Sequence, residues 1–293
     1  MEDKIISYGG QAVIEGVMMR GRNSFAIAMR APDGNIVVHK ESLAAVYRSW
    51  ITKIPFLRGT ILLWDALGLG MKALTLSANT QTGEEEKLEG PALYLTLGTS
   101  LALGIGLFIL LPASVGGWAQ NSLGWQNLAH NLLEGLMRLA LLVGYIWAIG
   151  FMPDVKRLFG YHGAEHKTIN AFEAGAELIP EVVAKYPIEH PRCGTAFMLT
   201  FVLLSILIHS LLGDMTFVWR LASRVMLIPV IAGIAVEFIR WTANHLDSAF
   251  VRLLIKPNLA LQSLTTRQPD NSMLEVAIES FKTMRQAERE FGV

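Results

Sequence analysis

Two stretches of this chain carry no charged side chain, one between Glu89 and Glu134 and one between Arg192 and Asp214. Few folds tolerate that. A helix crossing a hydrocarbon core of about 30 Å needs about 20 apolar residues, and inside lipid the backbone must satisfy its own hydrogen bonds. Four spans are predicted, near Pro91–Leu111, Leu132–Met152, Gly194–Leu212 and Leu221–Trp241. In the first, Gly98, Ala102 and Gly106 recur every fourth position, a pattern read as close helix packing. Composition agrees: 52% of residues are hydrophobic and 17% charged, against about 25% charged in soluble domains. That excludes a disordered chain. Acidic and basic residues balance at 25 each, which argues against a dedicated nucleic-acid binder. The single cysteine, Cys193, forbids an intramolecular disulfide and a multi-cysteine zinc framework.

The basic residues set an orientation. Ten Lys/Arg lie in segment 1–90, five in 153–192 and six after Trp241, while loop 112–131 has none and loop 213–224 has two. The positive-inside rule places both termini and the central loop in the cytoplasm. The first fifty residues show no apolar region of signal-peptide type. Glu134 and Arg138 are spaced to pair on one helix face. Glu237 and Arg240 lie near the inner end of the last span and are read as a pair or interface anchor, with a role in transport as the alternative.

Residues 1–55 read as β-rich. Phe25–Ala31 and Asn35–His39 flank the turn Pro32-Asp33-Gly34, and Gly9–Gly21 predicts one further strand with glycine-marked ends. Segment 56–90 is expected to hold an amphipathic interfacial helix over 56–77, with Arg58, Asp65 and Lys72 on one stripe, rather than a fifth crossing, followed by the acidic linker Gly83–Lys87. Spans one and two occupy 91–152, a cytoplasmic loop 153–193, and spans three and four 194–241. The tail, 242–293, ends in a helix for which Ser272 and Glu275 suggest a capping box, and whose apolar face is Leu274, Ala277, Ile278, Phe281 and Met284.

The central loop carries His162-Gly163-Ala164-Glu165-His166, an H-x-x-E-H pattern. Histidines four apart on a helix point the same way and can share one ion, and the intervening glutamate suits a base that acts on water. The competing reading makes them hydrogen-bonded interface histidines with Glu165 as partner. A mononuclear site usually needs a third protein ligand. His190 ranks first, Glu173 second and Cys193 third. Glu173 shares the helix face but lies about 10 Å along the axis from His166 unless the helix breaks. Glu237 has the separation of a distant glutamate ligand but a membrane setting. His39, His130, His209 and His245 read as strand-end, loop, interhelical and interface residues. No phosphate-binding loop, nucleophile elbow or dinucleotide fingerprint appears.

Gly9–Gly21, Arg157–Lys167, His190–Gly194 and Leu264–Pro269 together resemble the YqhQ-like family of bacterial membrane proteins, in the same order over nearly the whole chain. The resemblance implies a protein of unknown function described as a predicted metal-dependent enzyme. The chain departs from the family pattern at Gln268 and Asn271, where the family carries Glu and Asp.

The sequence thus predicts an α-helical polytopic membrane protein of about four transmembrane helices, with a small cytoplasmic α+β part that includes an N-terminal β-hairpin or meander. It would sit in a bacterial inner membrane with both termini cytoplasmic. The functional expectation is a metal-dependent hydrolase with Glu165 as the catalytic group and a divalent metal, zinc first. The expected partners are the lipid bilayer and a membrane-proximal substrate or cytoplasmic protein, with a homo-oligomer allowed and no nucleic acid. The alternatives are a scaffold that docks a cytoplasmic partner and an oligomeric transporter.

Overall fold

The computed structural model describes residues 8–44, 54–82, 90–124, 127–213 and 215–291. The acidic linker Gly83–Lys87 lies outside them. Strands β1 (Gly9–Val13), β2 (Gly16–Arg20), β3 (Ser24–Arg30) and β4 (Ile36–Ser42) form an antiparallel meander in the order 1-2-3-4. Gly9–Gly21, expected as one strand, is a hairpin. Val13 faces Gly16 across Ile14 and Glu15, and Glu15 turns the chain at φ 53°.

The hydropathy alternation was loose because both faces of the sheet are covered. On one face Val13, Met18, Phe25, Ile27 and Met29 pack with Ala73 of helix α1 (Leu57–Thr82). On the other, Val17, Met19, Ala26 and Ala28 share a core with Tyr161, Ala164 and Ile169 of α5 (Pro153–Glu173) and with α12 (Asn271–Glu290). The apolar face read for α12 is the buried one: Leu274, Ala277, Ile278, Phe281 and Met284 all enter this core.

The cap of α12 differs from expectation. Asp270, not Ser272, precedes the helix, and its carboxylate accepts the Met273 N–H at 2.9 Å. Glu275 pairs instead with Arg30 on β3 at 2.9 Å. At the other end of α12 the buried Glu288 carboxylate accepts the backbone N–H groups of Asn23 and Ser24, each at 2.7 Å, fastening the helix to the β2–β3 turn.

Among the described residues three helices are long and apolar enough to cross a membrane: Leu57–Thr82, Leu93–Leu123 and Leu128–Ile149. A fourth candidate is a pair of helices bent by 41°. The second of these combines α2 (Gly90–Ile105), a π turn at Gly106–Leu110 and α3 (Leu111–Leu123), so much of the loop expected over 112–131 is helix. Pro112 explains the π turn. A proline lacks an N–H and crowds the carbonyl four residues back. That carbonyl, of Phe108, instead accepts Arg138 Nε at 2.9 Å from α4 (Asn127–Ile149).

Helix α7 (Gly194–Ser210) is a shorter apolar helix of 17 residues. The span expected over 221–241 is broken at Leu227 into α8 (Phe217–Met226) and α9 (Ile228–Ala243), with Pro229 in the first turn of α9. The charges in these helices tie elements together. Glu134 is buried, with Arg224 of α8 donating to both its oxygens at 2.8 Å and Arg138 to one at 2.8 Å. Glu237 accepts Arg58 Nε of α1 at 2.6 Å.

Helix α1 is long enough to cross, but from Asp65 onward it serves the sheet. Asp65, 2% exposed, pairs with Arg20 of β2 at 2.6 Å. Ser77 Oγ accepts the Ile14 N–H, and Gln81 donates to Arg30 O. The tail, expected to leave the helical bundle at Trp241, returns to it. After α10 (Ala249–Leu254), α11 (Lys256–Thr265) buries Leu261 against Leu142 and Ile146 of α4 and Leu199 of α7, and Asn258 donates to Thr200 Oγ1 at 3.3 Å.

Candidate metal centre

Helix α5 is buried nearly all round between Phe159 and Ala171, because the sheet, α12 and the loop 174–193 enclose it. Its polar side chains organise that loop. Lys167 Nζ donates to Ala184 O at 2.9 Å and Tyr186 O at 2.7 Å, and Asn170 Nδ2 to Pro187 O at 2.9 Å and Glu189 O at 3.0 Å. His166 Nδ1 donates to Ile188 O at 2.7 Å. Three residues of one helix thus collect five carbonyls of the loop that contains the short helix α6 (Pro180–Val183). The loop is drawn back along α5 and delivers Cys193 beside His162.

His162, His166 and Cys193 form the centre, with one ligand atom from each within 4.8 Å of the others. His162 Nδ1 donates to Thr265 O at 2.9 Å and its Nε2 lies 3.1 Å from Cys193 Sγ. A carbonyl can only accept, so Nδ1 carries a proton in both histidines and Nε2 of both turns to the cluster. Ligand atoms around a tetrahedral zinc lie about 3.5 Å apart; two nitrogens and a sulfur fit such an ion in chemistry, and the His162–Cys193 pair at 3.1 Å is close to that spacing. Among the described residues His166 Nε2 and Glu165 Oε2 are buried with no hydrogen-bond partner, the orphaned atoms expected where an ion or its water belongs.

The electrostatics follow from enclosure. Burial pushes the Cys193 thiol up, but the His162 and His166 imidazoles beside it outweigh that and hold it well below the ordinary thiol range. Cys193 is also the N-cap of α7, and its sulfur accepts the Thr195 N–H at 3.5 Å. Burial would lower His162, yet the sulfur facing it raises it to about 9. Burial raises Glu165 despite the nearby histidines. His190 is pushed well down, by burial and then by His166.

The other ligand candidates fall elsewhere. His190 stands behind His166, ring centroids 5.6 Å apart, with its main chain clasped by Gln262 at 2.9 Å in both directions. Helix α5 runs unbroken to Glu173, whose carboxylate pairs with Arg192. Glu237 is held by Arg58. His209 hydrogen-bonds within α7 to Ser205.

The family model described as "Protein of unknown function (DUF1385)" matches residues 54–287. The chain belongs to the DUF1385 family. It is 35% identical over 297 residues to "Uncharacterized protein YqhQ" of Bacillus subtilis (strain 168), covering 96% of this chain and 93% of that protein. No solved structure matches. The DUF1385 match takes in α1, His162, His166 and Cys193 but not strands β1–β4. Those strands nonetheless close the site in this member of the family: a Cβ on Gly10 of β1 would lie 2.8 Å from the Glu165 carboxyl carbon.

Thr265 and Ile188 contribute to the site through backbone carbonyls, which leave no mark on residue identity, and Gln262 contributes through a side-chain amide that reads as solvent-facing in the sequence. A fourth contributor had a visible signal. Gly163 sits inside the motif, and a Cβ there would come within 2.2 Å of Arg267 O. The glycine lets the 265–267 backbone lie directly on α5, which brings Thr265 O to His162.

Proposed function

We propose that this protein is a multi-pass bacterial inner-membrane metal-dependent hydrolase with its centre on the cytoplasmic side, close to the bilayer. The sheet, α5 and α12 share one core, so an even number of crossings separates each from the next. With α2–α3 and α4 crossing, α1 stays on the sheet's side, partly embedded where it meets α9. Four crossings then leave both termini on the side richer in Lys/Arg.

The observation that carries the functional reading is the cluster of His162, His166 and Cys193 with its orphaned Nε2 and the orphaned Glu165 oxygen. Three protein ligands with one open position are the pattern of catalytic rather than structural zinc. Bound there, zinc would supply a Lewis acid and a lowered water pKa. The chain's own residues do the rest. Thr265 O and Ile188 O fix both imidazole tautomers, and His162 Nε2 gives up its proton to become a ligand. The ionised Glu165 carboxylate, made a stronger base by its burial, takes a proton from water and, once protonated, returns it to a leaving group. The buried walls exclude bulk water. The substrate class is a membrane-proximal ester or amide.

Metal analysis of purified protein tests this. About one equivalent of metal is expected in the wild type and close to none in His162→Ala/His166→Ala, while Glu165→Gln keeps the metal and loses hydrolysis in an ester and amide panel. Equal, near-zero metal in all three overturns the reading.

The 3.1 Å contact between His162 Nε2 and Cys193 Sγ favours a second reading, a metal-free thiolate–imidazolium pair serving as nucleophile and base. Rapid alkylation of Cys193 in protein purified without metal, unaffected by added zinc, would select it.

A further inference from the structure

One polar side chain at the centre is neither a ligand nor a partner of the histidines. Thr195 lies in the first turn of α7, two residues after Cys193, and its hydroxyl oxygen is 3.1 Å from Cys193 Sγ. Its backbone N–H points to the same sulfur at 3.5 Å. A thiolate has no proton to give, so the hydroxyl is the donor of this pair. Capping of α7 needs only the Thr195 N–H, so the hydroxyl bond is additional to it. Cys193 is buried, which leaves its sulfur to donors that the chain itself supplies.

The hydroxyl matters most once an ion is held, and its role rests on the metal reading of the site. His162 Nε2, now 3.1 Å from the sulfur, then gives up its proton and turns to the ion, so it no longer donates to the thiolate. What the sulfur keeps is the Thr195 hydroxyl, the longer bond from the Thr195 N–H, and the positive end of the α7 dipole. The hydroxyl bond is the shorter of the two, and a charged acceptor makes such a bond roughly twice as strong as a neutral one. Hydrogen bonds to a ligating sulfur tune the ion it binds. Each draws charge from the sulfur, so the sulfur gives less to the ion and the ion stays the stronger Lewis acid.

We propose that Thr195 is a positioning residue of the metal centre, whose hydroxyl donates to the Cys193 thiolate, fixes its orientation and limits the charge it gives to the ion.

Absorption spectroscopy of the full-length, detergent-purified protein loaded with cobalt(II) tests this. Thr195→Val keeps the shape of the side chain and removes the donor, which raises the energy of the sulfur electrons. The thiolate-to-cobalt charge-transfer band should therefore move to longer wavelength. Thr195→Ala should show the same shift, and Thr195→Ser should keep the wild-type band. Thr195 is not a ligand, so the intense visible bands of a four-coordinate ion should persist in all three variants. A wild type without the charge-transfer band would overturn the metal reading and this role with it. A wild-type band that Thr195→Val and Thr195→Ala both leave in place, even with less cobalt bound, would overturn the role of Thr195 alone. So would a shift in Thr195→Ser as large as that in Thr195→Val.

Discussion

At the residue scale, Gly163 is the most constrained position around the centre, because the atom that meets its missing Cβ is a backbone carbonyl that cannot rotate away. Gly163→Ala should push the 265–267 segment off α5 and break the bond from His162 Nδ1 to Thr265 O. The expected result is a folded protein with metal affinity about 10- to 100-fold lower, the usual cost of losing an outer partner of a ligating histidine. Competition with a chromophoric chelator measures it, and wild-type affinity would show that Thr265 does not orient the ring. Residue identity showed which side chains suit a metal, but not which of them meet. In the sequence Cys193 ranks behind His190 and Glu173. What decides is that Lys167, Asn170 and His166 collect the carbonyls of the 184–189 loop, and that Arg192 occupies Glu173.

At the scale of elements, the β1–β2 hairpin docks on α5 through Glu15, which accepts Arg157 Nε and Nη2, each at 2.5 Å, and the Tyr161 hydroxyl at 3.2 Å. The Arg157 hydrogen bonds hold the Glu15 carboxyl below its usual range against the opposing effect of burial. A carboxylate whose pKa is lower folded than unfolded stabilises above the unfolded value, about 4.3, and that stability is lost as pH falls through the folded value. Thermal melts across pH 3–6 should therefore show an acid-side decline that is shallower in Glu15→Gln, by a modest amount because Arg157 is half exposed. An identical decline in both proteins would remove Glu15 from the account. Periodicity revealed α12 and its buried face, since a face repeated over 20 residues survives in the sequence. It did not reveal α11, whose Asn258, Gln262 and Thr265 look solvent-facing but are satisfied by Thr200, His190 and one another's backbone. Nor did it reveal the helix through 112–123, where the Phe108 carbonyl that Pro112 frees is taken by Arg138.

At the scale of the molecule, the shared core of sheet, α5 and α12 places three distant segments on one side of whatever the apolar helices cross. In a Cys193→Ser background, Asn35→Cys in the β3–β4 turn and Glu290→Cys at the end of α12 should resist a membrane-impermeant maleimide in intact cells. Asn121→Cys near the end of α3 should react. Labelling of only one of the first two would contradict the common core, and labelling of both with protection of Asn121→Cys would reverse the orientation. Charge-free runs revealed the apolar helices because length and apolar composition are legible in the sequence alone. The bend at Leu227 and the pairing of Glu134 with Arg224 are not legible there, since both depend on contacts between helices far apart in the chain.

The central claim, one ion held by two imidazoles and a thiolate, is tested most directly by cobalt(II) substitution and absorption spectroscopy. The structure predicts a thiolate-to-cobalt charge-transfer band at about one equivalent of cobalt, with the intense visible bands of a four-coordinate ion. The charge-transfer band should vanish in Cys193→Ser, and both sets should vanish in His162→Ala/His166→Ala. A wild-type spectrum without the charge-transfer band, or one that Cys193→Ser leaves unchanged, would contradict it.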